Sequence, residues 1–356
     1  MDHYTVYREE GRFAGWPANY GIWGFGYEIV VGFTVGYLKV DEGFHARDRS
    51  KPFVTMLART LDGGETWQVE SFSGRLPGHG SLSADEHVDE SLAIGRTLSE
   101  NSFERLRQPV DFKDPDFSMM CARSGLGQGS RSWFYISMDR CKTWRGPYLI
   151  PGFGTPGIAA RTDYIVEGRR RCTLFLTAAK GNGHEGRPFC IRTEDGGLSF
   201  NFLSWIGEEP SGFSIMPASV RLGDGTILVA VRRREGEKNW IELYSSIDDC
   251  QTWRFVTTPV ENTGSGGNPP TLTLLKDGRL CMTYGFRDPP YGIRARISND
   301  GGGSWGEEIM LRDDGGNHDL GYPRTALRPD GRLVTVYYFN DKPEGERYIA
   351  ATVWEP

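Results

Sequence analysis

The sequence predicts an all-β fold, a six-bladed β-propeller, and three observations support this prediction. A short template recurs along the chain, strand-like segments follow one another at regular spacing, and helical periodicity is nearly absent. The template reads Ser/Thr-x-Asp-x-Gly/Cys-x-Ser/Thr-Trp/Phe. Its five copies are TLDGGETW (60–67), SMDRCKTW (137–144), TEDGGLSF (193–200), SIDDCQTW (246–253) and SNDGGGSW (298–305). Recurrence at a nearly fixed period indicates a chain that repeats one structural unit.

The spacing of the template gives the size of that unit. Its aspartates lie at positions 62, 139, 195, 248 and 300, so the intervals are 77, 56, 53 and 52 residues. A period of about 50 residues fits one four-stranded blade. Six such blades in a single domain account for residues 1–356, with the N-terminal strand completing the last blade.

Each predicted blade follows the same order of elements. In the fifth, the apolar strands TLTLL, LCMTYG and IRARIS are separated by the hairpin KDGR and the loop FRDPPYG, and the template follows. The sixth unit lacks the template but keeps an Asp-Gly hairpin, which favours a tight turn. The longer first interval predicts an insertion at about 71–106, and its stretch 84–106 carries the one helical pattern of the chain.

The template itself predicts a turn that ties two strands together. Its aspartate can accept backbone N–H groups, glycine takes a positive φ, the hydroxyl residue hydrogen-bonds within the turn, and the aromatic ring packs between sheets. Cys141 and Cys250 stand at the glycine position in two copies. We therefore interpret the template aspartates as structural residues rather than calcium ligands.

Composition narrows the function classes. The net charge of −6 and the pI near 5.7 disfavour nucleic acid as a partner, because phosphate binding needs a basic surface. The six cysteines and six histidines show no CxxC or HExxH pattern, so we expect buried thiols and neither a metal nor another cofactor. The N-terminal segment does not resemble a signal peptide, and no run of about 18 apolar residues occurs. We expect a cytoplasmic protein without membrane contact, or a secreted one if a leader has been removed.

The five templates resemble the Asp boxes of the sialidase-like superfamily, also called BNR repeats, and the resemblance extends over essentially the whole chain. It implies a six-bladed propeller and makes glycoside hydrolysis the expected activity. Asp boxes also occur in proteins that are not sialidases. Function therefore has to be predicted from the residues of the site.

The loops between the second and third strands of each unit predict where this site lies. In a propeller they turn on the same face as the starts of the first strands, and both converge on the axial pocket. Each loop contains an arginine; the loops are 41–51, 125–131, 181–187, 232–239, 286–292 and 340–347. Because guanidinium groups that face one pocket repel each other, these loops predict a bound anion.

The resemblance also implies roles for individual residues. Family sialidases hold a substrate carboxylate with three arginines and use a tyrosine nucleophile, its glutamate partner and an aspartate acid/base. Tyr322 in GYPRTALRPDG matches the tyrosine, and Asp48 in HARDRSKP lies near the position of the aspartate. Arg12 in GRFAGWP matches one carboxylate-binding arginine, and Arg294 matches another, with Arg287 as the competing choice.

Two positions depart from the family pattern. Where the glutamate is expected, SIMPASV has Met216 and Pro217, and where a middle arginine is expected, WIELYS has Glu242. Glu242 is therefore the candidate base from a neighbouring strand. Without the family glutamate, a uronic acid or another acidic sugar is favoured over sialic acid as the substrate.

The predicted function is an exo-acting glycoside hydrolase that removes a terminal acidic sugar. Its further candidate residues are Arg161, Arg324, His318 and His184 for substrate binding, Asp163 and Asp319 at the rim, and Trp16, Trp240 and Tyr291 as stacking rings. A tyrosine or histidine beside an arginine-held carboxylate also suits β-elimination of a uronic acid, so a lyase is the second hypothesis. A non-catalytic propeller that binds acidic glycans is the third, and a protein-interaction scaffold is the fourth.

Overall fold

The protein is a ring of six antiparallel sheets, each of which forms one blade. The computed structural model describes residues 1–41, 43–77 and 98–356. Within them the chain forms twenty-four strands, no α-helix and two 3-10 helices, at Pro17–Asn19 and Glu100–Ser102. This architecture confirms the predicted six-bladed β-propeller. In the described part of the chain, no helix has the length and apolar character needed to span a membrane.

Strands are numbered along the chain, beginning with β1 (Asp2–Tyr7). Blade one contains β2 (Arg12–Gly15), β3 (Ile22–Phe25), β4 (Glu28–Tyr37), β5 (Val54–Thr60) and β6 (Gln68–Ser71). Blade two contains β7 (Ser118–Arg123), β8 (Ser132–Ser137) and β9 (Arg145–Leu149). Blade three contains β10 (Tyr164–Val166), β11 (Cys172–Ala179), β12 (Glu185–Thr193) and β13 (Asn201–Trp205).

The remaining three blades follow the same order from the inner strand outwards. Blade four contains β14 (Phe213–Arg221), β15 (Ile227–Glu235), β16 (Lys238–Ser246) and β17 (Arg254–Val260). Blade five contains β18 (Thr271–Leu274), β19 (Leu280–Phe286), β20 (Gly292–Ser298) and β21 (Ile309–Arg312). Blade six contains β22 (Gly321–Leu327), β23 (Leu333–Phe339), β24 (Tyr348–Trp354) and β1.

The two ends of the chain close the ring. β1 pairs antiparallel with β24, from Asp2 opposite Val353 to Thr5 opposite Ala350. It thereby supplies the outer strand of blade six, which confirms the prediction that the N-terminal strand completes the last blade. Backbone hydrogen bonds between the first and last strands hold the blades together as one closed unit.

Blade two differs from the others because its described sheet has three strands. β7 is the second strand in the order of the other blades, so it has no strand partner on its inner side among the described residues. Side chains of neighbouring blades bond to this edge instead. Trp23 Nε1 donates to Met119 O (3.2 Å), and Met119 N donates to the Tyr164 hydroxyl (3.3 Å). These bonds satisfy backbone groups that an open edge would leave free to pair with another chain.

The predicted insertion lies before blade two and is described only in part. Residues 78–97, which include most of the helical prediction at 84–106, lie outside the described residues. The remainder of that stretch contains the 3-10 helix Glu100–Ser102. An insertion over 71–106 therefore stays a prediction.

The five template turns share one hydrogen-bonding pattern, as predicted. In the first, Asp62 Oδ1 accepts the backbone N–H of Thr66 (2.9 Å) and Asp62 Oδ2 accepts the Thr66 hydroxyl (2.6 Å). The same pair of bonds is made by Asp139, Asp195, Asp248 and Asp300. In the fifth turn these bonds, led by the one from the Ser304 hydroxyl, lower the pKa of Asp300 to about 2. The template aspartates are thus occupied in holding their turns.

The hydrophobic core lies between adjacent blades, where the faces of neighbouring sheets pack together. Leu243 of blade four and Met282 of blade five, for example, belong to one buried cluster. All six cysteines lie within the described residues, are buried and form no disulfide. Cys141 (φ 64°) and Cys250 (φ 67°) adopt the left-handed conformation that glycine adopts in the other template turns. Because the sheet faces are used for packing, the starts of the inner strands are left to line the axis.

Candidate functional site

The same local distortion lies within two inner strands, β14 and β22, and directly after a third, β2. Trp16, Met216 and Tyr322 each precede a proline and adopt a left-handed conformation, with φ values of 60°, 55° and 50°. Bulky residues rarely occupy this region, and doing so costs about 1–3 kcal/mol. Strain of this kind concentrates at functional sites, which makes these positions the first to consider.

Two of the three side chains meet at the axis. Tyr322 packs against a buried apolar cluster formed by Ala18, Ile215 and Met216. In β14 and β22 the distortion coincides with a shift in the pairing register to the next strand. A shift of this kind changes the direction in which a side chain leaves the sheet. It accounts for the approach of Met216 to Tyr322 from another blade.

The backbone of Tyr322 is held by a buried amide. Tyr322 N donates to Asn268 Oδ1 (2.8 Å), and Asn268 Nδ2 donates to Leu320 O (3.1 Å). The residue before the tyrosine, Gly321, has a φ of 107°, and a Cβ there would lie 2.3 Å from Asn268 Nδ2. Only glycine fits this position, so the phenol is placed by Gly321 and Asn268 together.

Cationic side chains surround the phenol. Arg232 Nη1 donates to the Tyr322 hydroxyl (3.0 Å), and the guanidinium carbon of Arg287 lies 5.4 Å from the centroid of the Tyr322 ring. Burial alone would raise the pKa of Tyr322, but the positive charges of Arg232, Arg287 and Arg161 outweigh it and lower this pKa below its ordinary value. The site therefore makes loss of the phenol proton easier than it is for an ordinary tyrosine.

The same arginines are anchored by the protein. Arg287 donates through Nε to Leu320 O (3.0 Å), through Nη1 to Gly267 O (2.9 Å) and through Nη2 to the Tyr338 hydroxyl (2.6 Å). Arg232 also donates to Gly266 O. Because these contacts are to neutral oxygens, they fix the positions of the guanidinium groups without cancelling their charge.

Arg161 differs from the other two because it has an acidic partner. It donates to both carboxylate oxygens of Glu185, and the Nη2 to Oε2 distance is 3.3 Å. Within the described residues, Glu185 is the one carboxylate in salt-bridge contact with Arg161, Arg232 or Arg287. Three guanidinium groups and one carboxylate leave an excess of positive charge around the phenol. This arrangement can bind or stabilise an anion.

A buried aspartate holds a histidine beside this cluster. His45 Nδ1 lies 2.6 Å from Asp319 Oδ1, and the Tyr338 hydroxyl donates to the same oxygen (3.0 Å). Ala46 N and Arg347 Nε each donate to Asp319 Oδ2 at 2.9 Å. Although burial opposes ionisation, His45 and Arg347 keep the pKa of Asp319 well below its ordinary range. Asp319 is thus an ionised anchor for the His45 ring.

Arg324, predicted to bind substrate, and Asp163, predicted at the rim, are electrostatic neighbours. Arg324 Nη2 donates to Ala18 O (2.8 Å) and Thr162 O (2.6 Å), and Asp163 accepts the backbone N–H of Ser219 (2.9 Å). Burial raises the pKa of Asp163 to about 6, against the positive charge of Arg324. Both residues line a cavity of about 360 Å³. Burial lowers the pKa of Arg324, and the positive charge of Arg161 adds to this effect against the charge of Asp163.

Arg12 and Asp48 lie together around a different tyrosine. The guanidinium carbon of Arg12 is 4.2 Å from the ring centroid of Tyr37, and Asp48 N donates to Tyr37 O (2.8 Å). The carboxylate of Asp48 accepts the hydroxyl (2.6 Å) and N–H (3.0 Å) of Ser50, which lowers the pKa of Asp48. Within the described residues, no hydrogen bond or ion pair joins either residue to Tyr322.

Arg294 and Glu242 also have partners elsewhere. Arg294 pairs with Glu308 and lies 3.5 Å from the centroid of the Phe286 ring. Glu242 accepts hydrogen bonds from Arg233 Nη1 (2.9 Å), Trp240 Nε1 (2.9 Å) and the Tyr244 hydroxyl (2.7 Å). The structure therefore engages both side chains in contacts of their own blades and does not bring them to the phenol of Tyr322.

The two predicted histidines have different surroundings. His184 is exposed in its loop. His318 Nε2 lies 3.0 Å from Phe44 O, and the Phe44 ring lies 5.2 Å from the guanidinium carbon of Arg287. Tyr291 packs against the core between blades five and six. No group of three or more His, Cys, Asp or Glu side chains suited to a metal ion occurs in the described part of the chain.

Arg232, Asn268 and His45 are functional candidates that were not predicted individually. Arg232 begins the predicted loop 232–239 and His45 lies in 41–51, so both belong to loops expected at the pocket. A bulky residue before proline recurs at the start of blades one, four and six, which is a sequence signal for the distorted positions. No comparable signal marks Asn268, whose role depends on the chain folding back beside Leu320.

Known structures resemble the fold of this protein, although its sequence matches no family model or curated protein. A Dyadobacter fermentans protein of unknown function superposes with a TM-score of 0.74 at 21% identity, covering 100% of this chain and 98% of that chain. The NanB sialidase from Streptococcus pneumoniae superposes with a TM-score of 0.64 at 11% identity, covering 98% of this chain and 70% of that chain.

A third structure adds another sialidase. A leech intramolecular trans-sialidase superposes with a TM-score of 0.63 at 10% identity, covering 100% of this chain and 70% of that chain. The protein has a sialidase-like fold. At these identities the likeness of the sialidase-like propeller to the two enzymes concerns the arrangement of its blades. Its chemistry has to be inferred from its own axial residues.

Proposed function

We propose that the protein is an exo-acting glycoside hydrolase that removes a terminal acidic sugar, with Tyr322 as the nucleophile. The observation that carries this proposal is the position of the Tyr322 hydroxyl, which lies 3.0 Å from Arg232 Nη1 and in the field of Arg287 and Arg161. Fixed positive charges lower the cost of losing the phenol proton as the oxygen attacks. Sialidases share the fold, and the leech enzyme was solved with 2,7-anhydro-Neu5Ac.

The reaction consists of two displacements. In the first, the Tyr322 oxygen bonds to the anomeric carbon and loses its proton, the glycosidic C–O bond breaks, and the leaving oxygen takes up a proton. In the second, water attacks the same carbon, the bond to the tyrosine breaks, and the phenol regains its proton. Two successive displacements retain the anomeric configuration.

The excess positive charge supports an acidic substrate. Burial and the nearby charges of Arg287 and Arg161 lower the pKa of Arg232, although the Tyr322 oxygen opposes this effect. An anionic group on the substrate would relieve the repulsion among these cations, whereas a neutral sugar would not. We assign no role in the attack to Glu242, because its carboxylate already accepts hydrogen bonds from Arg233, Trp240 and Tyr244.

One observation favours a uronate lyase as the second candidate. The Tyr322 hydroxyl is hydrogen-bonded by Arg232 rather than by a carboxylate, so a phenolate could remove a proton as readily as it could attack carbon. In that reaction the oxygen takes the proton from C5 of the uronate, a C4–C5 double bond forms, and the C4–O bond breaks. Arg287 and Arg161 would stabilise the charge that develops on the carboxylate.

A substrate panel tests both candidates. The protein is incubated with 4-methylumbelliferyl glycosides of N-acetylneuraminic acid, glucuronic acid and glucose, and with uronic-acid-containing oligosaccharides. The proposal expects fluorescence from one acidic glycoside, none from the glucoside, and none with Tyr322→Phe. An increase in ultraviolet absorbance from an unsaturated uronate would favour the lyase. Saturable binding of an acidic sugar without any product would overturn both candidates and leave a glycan-binding propeller.

A further inference from the structure

We infer that His45, held by Asp319, donates the proton to the leaving oxygen. This inference rests on the proposed hydrolase and adds the proton donor that the proposal leaves unassigned. Asp48 is the donor expected from the resemblance, but its carboxylate is engaged by the hydroxyl and N–H of Ser50. A carboxyl group that its neighbours keep ionised is a poor proton donor. His45 lies three residues earlier in the same loop, and its ring contacts Asp319 beside the cationic cluster.

The geometry around Asp319 orients the imidazole. Asp319 is 1% exposed and accepts four hydrogen bonds, from His45, Ala46, Tyr338 and Arg347. Because an ionised carboxylate can only accept hydrogen bonds, the bond between His45 and Asp319 requires a proton on Nδ1 of His45. Proton transfer to a substrate then uses Nε2. An aspartate that fixes the tautomer and direction of a catalytic histidine is a recurring arrangement in enzymes.

His45 is connected to the phenol by direct contacts. The Tyr338 hydroxyl bonds to Asp319 Oδ1 (3.0 Å) and accepts Arg287 Nη2 (2.6 Å), and Arg287 lies over the Tyr322 ring. His45 therefore belongs to the same cluster as the nucleophile. Its side chain keeps 17% of its surface exposed, so it is not sealed within the protein. In the described residues, Nε2 has no hydrogen-bond partner.

The charged groups that face His45 have opposite effects on its pKa. Asp319 favours the imidazolium, whereas Arg287 from blade five and Arg47 from the same loop oppose it; Tyr338, Trp16 and Phe44 complete the surroundings. Burial is the largest influence, and the pKa of His45 lies below its ordinary value of 6.5. Proton donation is therefore available below this pKa and is lost as the pH rises through it.

Leaving-group dependence tests the inference. 4-Methylumbelliferone is a good leaving group that departs without being protonated, whereas methanol has to be protonated as it leaves. The probes are therefore the methyl and the 4-methylumbelliferyl glycosides of N-acetylneuraminic acid and of glucuronic acid. We expect His45→Gln to lower turnover of the methyl glycoside at least about 100-fold and of the methylumbelliferyl glycoside less than about tenfold, because general acids contribute about 100- to 10,000-fold. His3→Gln is the matched control, since His3 lies in the outer strand of blade six, where it is hydrogen-bonded to Thr352 of β24.

The results of these assays distinguish failure of the His45 assignment from failure of the hydrolase proposal. Equal losses on both glycosides, or no loss on either, would overturn the role of His45. A loss specific to the methyl glycoside in Asp48→Asn but not in His45→Gln would assign the donor to Asp48. If the wild type forms no product, or Tyr322→Phe stays active, the hydrolase proposal itself fails. Should His45→Gln not fold, the wild type decides: the fall in turnover with rising pH should appear with the methyl glycoside and be absent with the methylumbelliferyl glycoside.

Discussion

The inner strands of blades four and six begin in the same way but carry different chemistry. Met216 in β14 and Tyr322 in β22 both precede a proline, and both are left-handed, with φ values of 55° and 50°. In each ladder the pairing register shifts at this point. Met216 has no reactive group, yet it adopts the same strained backbone as the phenol. The distortion therefore belongs to the fold, and the side chain determines what each position can do.

The residues opposite the two distortions also correspond. Arg232 pairs with Ile215 in blade four, and Tyr338 pairs with Gly321 in blade six. Arg232 donates across the axis to Tyr322, whereas Tyr338 bonds to Arg287 and Asp319 within its own side of the site. Two blades of related geometry thus supply complementary parts of one site. The following variants test the comparison between these two blades.

The largest effect is expected from giving blade six the side chain of blade four. Tyr322→Met should lower turnover of the acidic glycoside at least about 1000-fold, as expected for loss of a nucleophile. Methionine already adopts this conformation at position 216, so the melting temperature should change by less than about 4 °C. The control is Tyr337→Phe, which removes a hydroxyl bonded to Thr352 away from the site. Turnover within tenfold of wild type in Tyr322→Met would contradict the comparison.

The cation supplied by blade four should have the next largest effect. Arg232→Gln removes a charge that lowers the pKa of Tyr322, so this pKa should rise, and turnover should fall about 100-fold, as for loss of one electrostatic donor. Ultraviolet titration of the tyrosines and steady-state kinetics provide the readouts. Arg233→Gln is the neighbouring control, because Arg233 pairs with Glu242. Equal changes in the two variants would argue against a specific role for Arg232.

Adding a carboxylate to blade four should have a smaller effect on binding. Met216→Glu would place a negative charge in the cluster that contains Tyr322 and partly neutralise the nearby cations. The KM for the acidic glycoside should rise about tenfold, which corresponds to about 1.4 kcal/mol of binding free energy. Met216→Gln keeps the size and lacks the charge, and it should bind more tightly than Met216→Glu. Identical KM values in the two variants would place the anion elsewhere.

The smallest effect concerns the bonds that hold the two distorted backbones. Tyr322 N donates to Asn268, which also donates to Leu320 O, whereas Met216 N donates to Thr177 Oγ1 (3.2 Å). Asn268→Leu removes two hydrogen bonds, leaving Tyr322 N unpaired while Leu320 O keeps its bond from Arg287, whereas Thr177→Val removes one. The first should lower the free energy of unfolding by about 1 kcal/mol more than the second. Urea denaturation at equal m-values measures this difference, and equal costs would contradict it.

The sequence predicted the repeating unit because short-range signals specify it. Each template turn is made within eight residues, and the bonds of Asp62 or Asp300 need no distant partner. Tyr322 and Arg287 were predicted from the resemblance to family sialidases, and Arg161 as a further candidate; the structure brings the three together. For Tyr322, the repeat phase identified the inner strand on which the resemblance expects a tyrosine.

Other predicted residues depended on details that spacing does not specify. Successive residues of a strand point to opposite faces, so a shift of one position decides between two environments. Arg232 reaches Tyr322 while its neighbour Arg233 pairs with Glu242. Arg294 is similarly engaged by Glu308 within blade five. A list of loop arginines could not distinguish these cases.

The sequence by itself determined the six-bladed ring and its template turns, because hydrophobic alternation and turn chemistry act over a few residues. Only the tertiary structure decided which side chains share the axis. His45 meets Asp319 across 274 residues, and Arg232 meets Tyr322 across 90. Such contacts form when blades from distant parts of the chain pack around one centre. The net charge of the site is therefore the sum of the charged side chains that the blades place there.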